Sequence, residues 1–102
     1  MTEMTELEKA RESINSIDRD MAKLFEARMQ AVSVIAAYKK ENGLPIEDLK
    51  REAALIEKNS ACITEDSLLP YYTRFLRQMI ELSKEYQNRL CGSSMTGSDG
   101  EV

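Results

Sequence analysis

The chain has 102 residues, 42% of them apolar and 31% charged, a balance that fits one globular domain and excludes an intrinsically disordered chain. The formal net charge of −4 argues against nonspecific nucleic-acid binding, which needs a basic face, so affinity for an anion must come from a local cluster of cations. No apolar run approaches membrane-spanning length. With no histidine and no Cys-x-x-Cys, a zinc site is not expected.

Helix formers dominate, with only two prolines and four glycines, and the pattern predicts an all-α chain of three helices. The first helix covers about residues 5 to 41. Thr5 is placed to cap it, with Glu8 three residues on completing a capping box, and Asn42-Gly43 offers a left-handed stop. A helix of about 37 residues is near 55 Å long. That is too long for a small globule to cover, so the helix is expected to pack against another chain or to stand partly exposed.

Its stretch LFEARMQAVSVIAAYK, from Leu24 to Lys39, contains an anomaly. At about 100° per residue, Ala10, Ile14, Ile17, Met21, Leu24, Val32, Ile35 and Lys39 all fall within about 40° of Arg28. A stripe of aliphatic residues and methionine is thus interrupted by two cations, Arg28 and Lys39, about three turns apart on the same face. Each either snorkels out of a core or pairs with an acid, or the two converge on a ligand. Arg11 lies about 100° off the stripe and about 25 Å from Arg28 along the axis, too far to share a site within one straight helix. In an antiparallel pair of first helices, a second copy's Arg11 faces the gap between Arg28 and Lys39 when the paired indices sum to about 44. The two-fold axis then passes near residue 22, beside Met21, Leu24 and Phe25, where the stripe is most apolar and self-complementarity is easiest.

Leu44-Pro45-Ile46 connects to a second helix, about Glu47 to Asn59, whose acidic start suits the helix dipole. Asp48, Arg51 and Glu52 share one face of it; by themselves they read as a surface ion-pair ladder. Residues 60 to 66 form a loop. The third helix covers about Ser67 to Leu90, with Pro70 tolerated in its first turn. Its apolar positions include Tyr72, Phe75, Leu76, Met79, Ile80, Leu82, Tyr86 and Leu90. Ser83 and Gln87 stand one turn apart beside that stripe, a position usually at a solvated edge. Residues 1–91 are predicted to form the domain, and 92–102, GSSMTGSDGEV, a polar disordered tail or linker stub. With no signal peptide in view, Cys62 and Cys91 read as reduced thiols in a cytoplasm.

The ordered set Leu7…Arg11…Ile14…Ile17-Asp18, Leu24-Phe25-Glu26-Ala27-Arg28, Lys39, Pro45-Ile46-Glu47-Asp48 with Arg51-Glu52, and Ile80-Glu81-Leu82-Ser83…Gln87 resembles the all-helical, type II class of chorismate mutases. The resemblance runs from about Thr5 to Cys91. It implies an intertwined homodimer of three-helix chains that converts chorismate to prephenate, a branch-point step towards phenylalanine and tyrosine. It further implies that Arg28 and a second copy's Arg11 hold the two substrate carboxylates. Lys39 and Gln87 would hydrogen-bond the ether oxygen, Asp48 and Glu52 would address the ring hydroxyl, and Arg51 and Ser83 would complete the lining. No metal and no cofactor are implied. Lys84 departs from the pattern, since relatives often carry an aliphatic residue there. Relatives occur free or fused to prephenate dehydratase or other shikimate-pathway domains, so a fused or associated enzyme is a further expectation. Two other readings remain: an isochorismate pyruvate lyase on the same fold, whose relatives lack the Asp48…Arg51-Glu52 arrangement, and a non-catalytic helical dimerisation or regulatory module.

Overall fold

The computed structural model describes residues 3–92. Apart from Gly92, the tail expected over 92–102 lies outside the described residues. Three α-helices follow in order: α1 (Glu6–Asn42), α2 (Leu49–Ser60) and α3 (Leu69–Leu90), the last entered through a short 3-10 turn, Asp66–Leu68. No strand occurs among the described residues. The all-α, three-helix architecture with a long first helix is therefore as the periodicity predicts.

The ends of α1 are set by local chemistry. The Thr5 hydroxyl oxygen accepts from the Glu8 backbone N–H at 3.1 Å, and the Glu8 carboxylate accepts from the Thr5 N–H at 2.9 Å. This reciprocal pair satisfies two amides that the first turn leaves open. At the other end Gly43 takes a φ of 64°. The Leu44 N–H then reaches back to the Lys39 carbonyl at 2.8 Å, and the Gly43 N–H to Lys40 at 3.4 Å, which closes the helix as a Schellman motif.

The second helix begins two residues later than expected. Asp48, not a residue before Glu47, is its N-cap, and its carboxylate accepts from the Arg51 N–H at 3.1 Å. Glu47 sits outside the helix and spends its charge elsewhere. Pro70 falls within the first two positions of α3, where its missing N–H costs nothing. The 3-10 turn supplies the start that the sequence assigned to α3 itself.

The described chain falls into two compact units, dividing between Ala31 and Val32. In the first, every described residue from 3 to 27 is exposed. Ile14 and Ile17 are both 54% exposed and Leu24 68%: the apolar stripe has no cover from its own unit. The second unit holds the core. Val32 and Ala36 near the end of α1 are buried, as are Leu76 and Ile80 on α3, and α2 packs against α3. Phe75, Leu82 and Leu90 of the predicted α3 stripe stay largely exposed, so that stripe is wider than the core one chain builds.

Candidate active site

In the second unit the core has a polar edge. Ser83 and Gln87, one turn apart on α3, are 6% and 7% exposed, buried as deeply as Val32 and Ile80. They are not the solvated fringe that their place beside the stripe suggests. A buried amide has to be hydrogen-bonded, and Gln87 is: its Oε1 accepts from the Lys39 ammonium at 3.2 Å. The same ammonium donates to the Ile46 carbonyl at 2.7 Å. Lys39 thus turns inward, held between the α1–α2 connector and α3. Its third N–H, and the Gln87 amide NH₂ facing away from the engaged oxygen, are donors of the kind a ligand oxygen needs.

The remaining predicted residues of this unit separate into distinct jobs. Ser83 donates a hydroxyl hydrogen bond to the Met79 carbonyl at 2.8 Å. Asp48 caps α2, and Arg51, exposed, provides the backbone amide that Asp48 holds. Glu52 pairs across to α3: Lys84 lies 3.2 Å from its carboxylate, with both side chains mostly covered, 15% and 20% exposed. The surface-ladder reading of Asp48, Arg51 and Glu52 therefore gives way to a cap and an inter-helix pair. A cleft of about 600 Å³ opens beside these residues, lined by Lys39, Leu44, Pro45, Glu47, Asp48 and Leu49.

In the first unit Arg28 is half-buried and carries a polar partner of its own. Arg11 is exposed, in a shallow surface with Glu8, Glu12 and Asn15.

Two participants were not legible in the sequence. One is the Ile46 carbonyl, a backbone group with no side-chain signature beyond the adjacent Pro45. The other is the Lys84 cluster, in which the ammonium meets Glu47 at 3.1 Å and Glu81 at 3.0 Å as well as Glu52. Only Glu81, three residues back on the same helix, could have been anticipated. Hydrogen bonds donated to Glu81 and then to Glu47 hold the Lys84 ammonium well above the usual lysine range. Among the described residues no group of three or more acids, cysteines or histidines is arranged to hold a metal ion, and no helix is long and apolar enough to cross a membrane.

An inward lysine bonded to a buried glutamine, with an arginine three turns earlier on the same helix, sits within a wider match. The model of the family described as chorismate mutase type II aligns with residues 10–88. The chain belongs to the type II chorismate mutase family. It is 34% identical over 83 residues to the T-protein of Haemophilus influenzae, covering 76% of this chain and 22% of that protein. It is also 34% identical over 89 residues to the bifunctional chorismate mutase/prephenate dehydratase of Buchnera aphidicola, covering 82% of this chain and 23% of that one. The chain thus spans under a quarter of the length of these curated relatives. No solved structure matches it at a significant level.

Proposed function

We propose that this domain rearranges chorismate to prephenate, and that Lys39 and Gln87 act on the breaking C–O bond. The observation that carries the reading is the Lys39–Gln87 hydrogen bond at a buried position, in a chain of the chorismate mutase family. A rearrangement within one molecule needs no nucleophile and no redox partner. It needs the flexible substrate held in its folded, reactive shape, and it needs donors where charge develops. As the C–O bond breaks ahead of C–C bonding, negative charge grows on the ether oxygen. A partly desolvated ammonium and an amide NH₂ aimed there favour the transition state over the ground state.

Arginine suits the carboxylates, because its planar fork binds them through two parallel hydrogen bonds and stays charged. Arg28 takes one carboxylate, and Arg11 of a second copy takes the other. The exposed stripe of Ile14, Ile17, Met21 and Leu24 supports that second copy, since contiguous exposed apolar surface on a helix marks an interaction face and an antiparallel pairing about residue 22 buries it on itself. Asp48 and Glu52 address the ring hydroxyl and its surroundings, and Arg51 and Ser83 complete the polar lining. The prephenate dehydratase named in the Buchnera relative supports an associated enzyme that consumes the product.

The test is binding of a bicyclic dicarboxylate shaped like the transition state. At about 100 times its Kd such a ligand stabilises the folded state by about 2.7 kcal/mol, a rise in Tm readily seen by scanning calorimetry. A Tm unchanged at saturating ligand contradicts the site, and favours a purely structural helical module.

A further inference from the structure

Lys84 is adjacent in sequence to the buried Ser83, and its side chain is 15% exposed. Three carboxylates surround its ammonium, from three parts of the chain: Glu47 in the connector, Glu52 on α2 and Glu81 on α3 itself. The three are not equivalent. Glu47 and Glu81 are each 59% exposed, but Glu52 is 20% exposed, so water screens the Glu52 pair least. Lys84 also meets both oxygens of Glu52, at 3.3 Å to Oε1 and 3.2 Å to Oε2. The cluster holds one positive and three negative groups. Without Lys84, the two exposed carboxylates can turn into water, and Glu52 is left partly covered with no counter-charge from this cluster.

We infer, resting on the mutase reading, that Lys84 is a positioning residue that pins the Glu52 carboxylate at a fixed point on α2, ready to accept the substrate's ring hydroxyl. Each carboxylate oxygen keeps acceptor capacity beyond its bond to Lys84, so the pinned group can still accept a hydrogen bond from a hydroxyl. A glutamate held before the substrate arrives loses its rotamer freedom during folding and not during binding. The effect therefore belongs to ground-state and transition-state binding alike, and it is read in KM more than in kcat. The ring hydroxyl is remote from the bond that breaks, which points the same way.

The test compares Lys84→Met, Lys84→Arg and Glu81→Gln with the wild-type chain in steady-state chorismate turnover, after helicity and assembly state are checked for each; Lys84→Gln carries the test if Lys84→Met does not fold. Lys84→Met raises KM about tenfold with kcat within about threefold, the scale of a binding group displaced by a fraction of an ångström. Lys84→Arg, which keeps the charge, holds KM within about threefold of wild type. Glu81→Gln lowers Tm but leaves KM unchanged, because Glu52 stays pinned. In a Glu52→Gln background Lys84→Met adds less than about twofold, since the two residues act as one unit. An unchanged KM in Lys84→Met, an equal rise in Lys84→Arg, or the same tenfold rise in the Glu52→Gln background overturns the inference while the mutase reading stands. Absence of chorismate turnover in the wild-type chain overturns both.

Discussion

Replacing Lys39 by alanine separates a catalytic group from a structural tether. The Lys39 ammonium makes two hydrogen bonds, to the Ile46 carbonyl at 2.7 Å and to Gln87 Oε1 at 3.2 Å. The half-exposed Ile46 can turn its carbonyl to water. Gln87, 7% exposed, cannot, and a buried acceptor left without a donor costs about 1–3 kcal/mol. Against a typical stability of about 5–15 kcal/mol, Lys39→Ala leaves most chains folded. If Lys39 only ties α1 to α3, turnover per folded chain stays near normal. If its ammonium meets the ether oxygen, the loss is at least about a thousandfold in kcat, or about 4 kcal/mol in the barrier, the scale of removing one oxyanion donor. The assay pairs denaturant unfolding with initial rates of chorismate loss, corrected to the folded fraction. A kcat within tenfold of wild type refutes the ether-oxygen role.

Three further outcomes are expected from the proposed site and the Lys84 cluster. Gln87→Glu is active in acid and loses activity as pH rises, because only the neutral carboxylic acid donates a hydrogen bond to the ether oxygen; a flat pH–rate profile from pH 5 to 8 removes Gln87 from the donor role. Mixing inactive Arg11→Ala and Lys39→Ala chains restores one intact site per heterodimer and so regains activity, and verified heterodimers that stay inactive rule out a site shared between copies. Because Lys84 is held above the ordinary lysine range, its contribution to stability is full below the unfolded-chain value of about 10.4 and fades as pH climbs through the folded value. The Tm gap between wild type and Lys84→Met is therefore level from neutral pH to about pH 10 and closes above it; a gap that instead closes between pH 7 and 9 is incompatible with that cluster.

What the sequence makes legible is what neighbours along the chain decide. The Thr5–Glu8 box, the Asn42-Gly43 stop and Pro70 in the first turn of α3 are all contacts within a few residues, and all are present in the structure. α2 starts two residues later than the sequence pattern predicts, because Glu47 and Asp48 look alike as acids beside a helix dipole. Only the structure shows that Asp48 reaches the Arg51 amide while Glu47 reaches Lys84. Periodicity marks the stripe through Arg28 as apolar, but it carries no information about what covers it: Val32 is buried in the core of the second unit, whereas Ile14, Ile17, Met21 and Leu24 are exposed. Ser83 and Gln87 illustrate the opposite limit. Their burial depends on contacts between residues far apart in the chain, such as the Lys39–Gln87 bond, which no local spacing encodes. The resemblance to the mutase family named both residues where periodicity placed them at a wet edge. It was silent on Lys84, where this chain departs from the pattern.

The central claim is tested most directly by following chorismate absorbance with the purified protein and identifying the product by acid conversion to phenylpyruvate. Loss of chorismate with stoichiometric formation of prephenate is the expected result. A folded protein that leaves chorismate untouched, or one that releases pyruvate and an aromatic acid from isochorismate in its place, contradicts it.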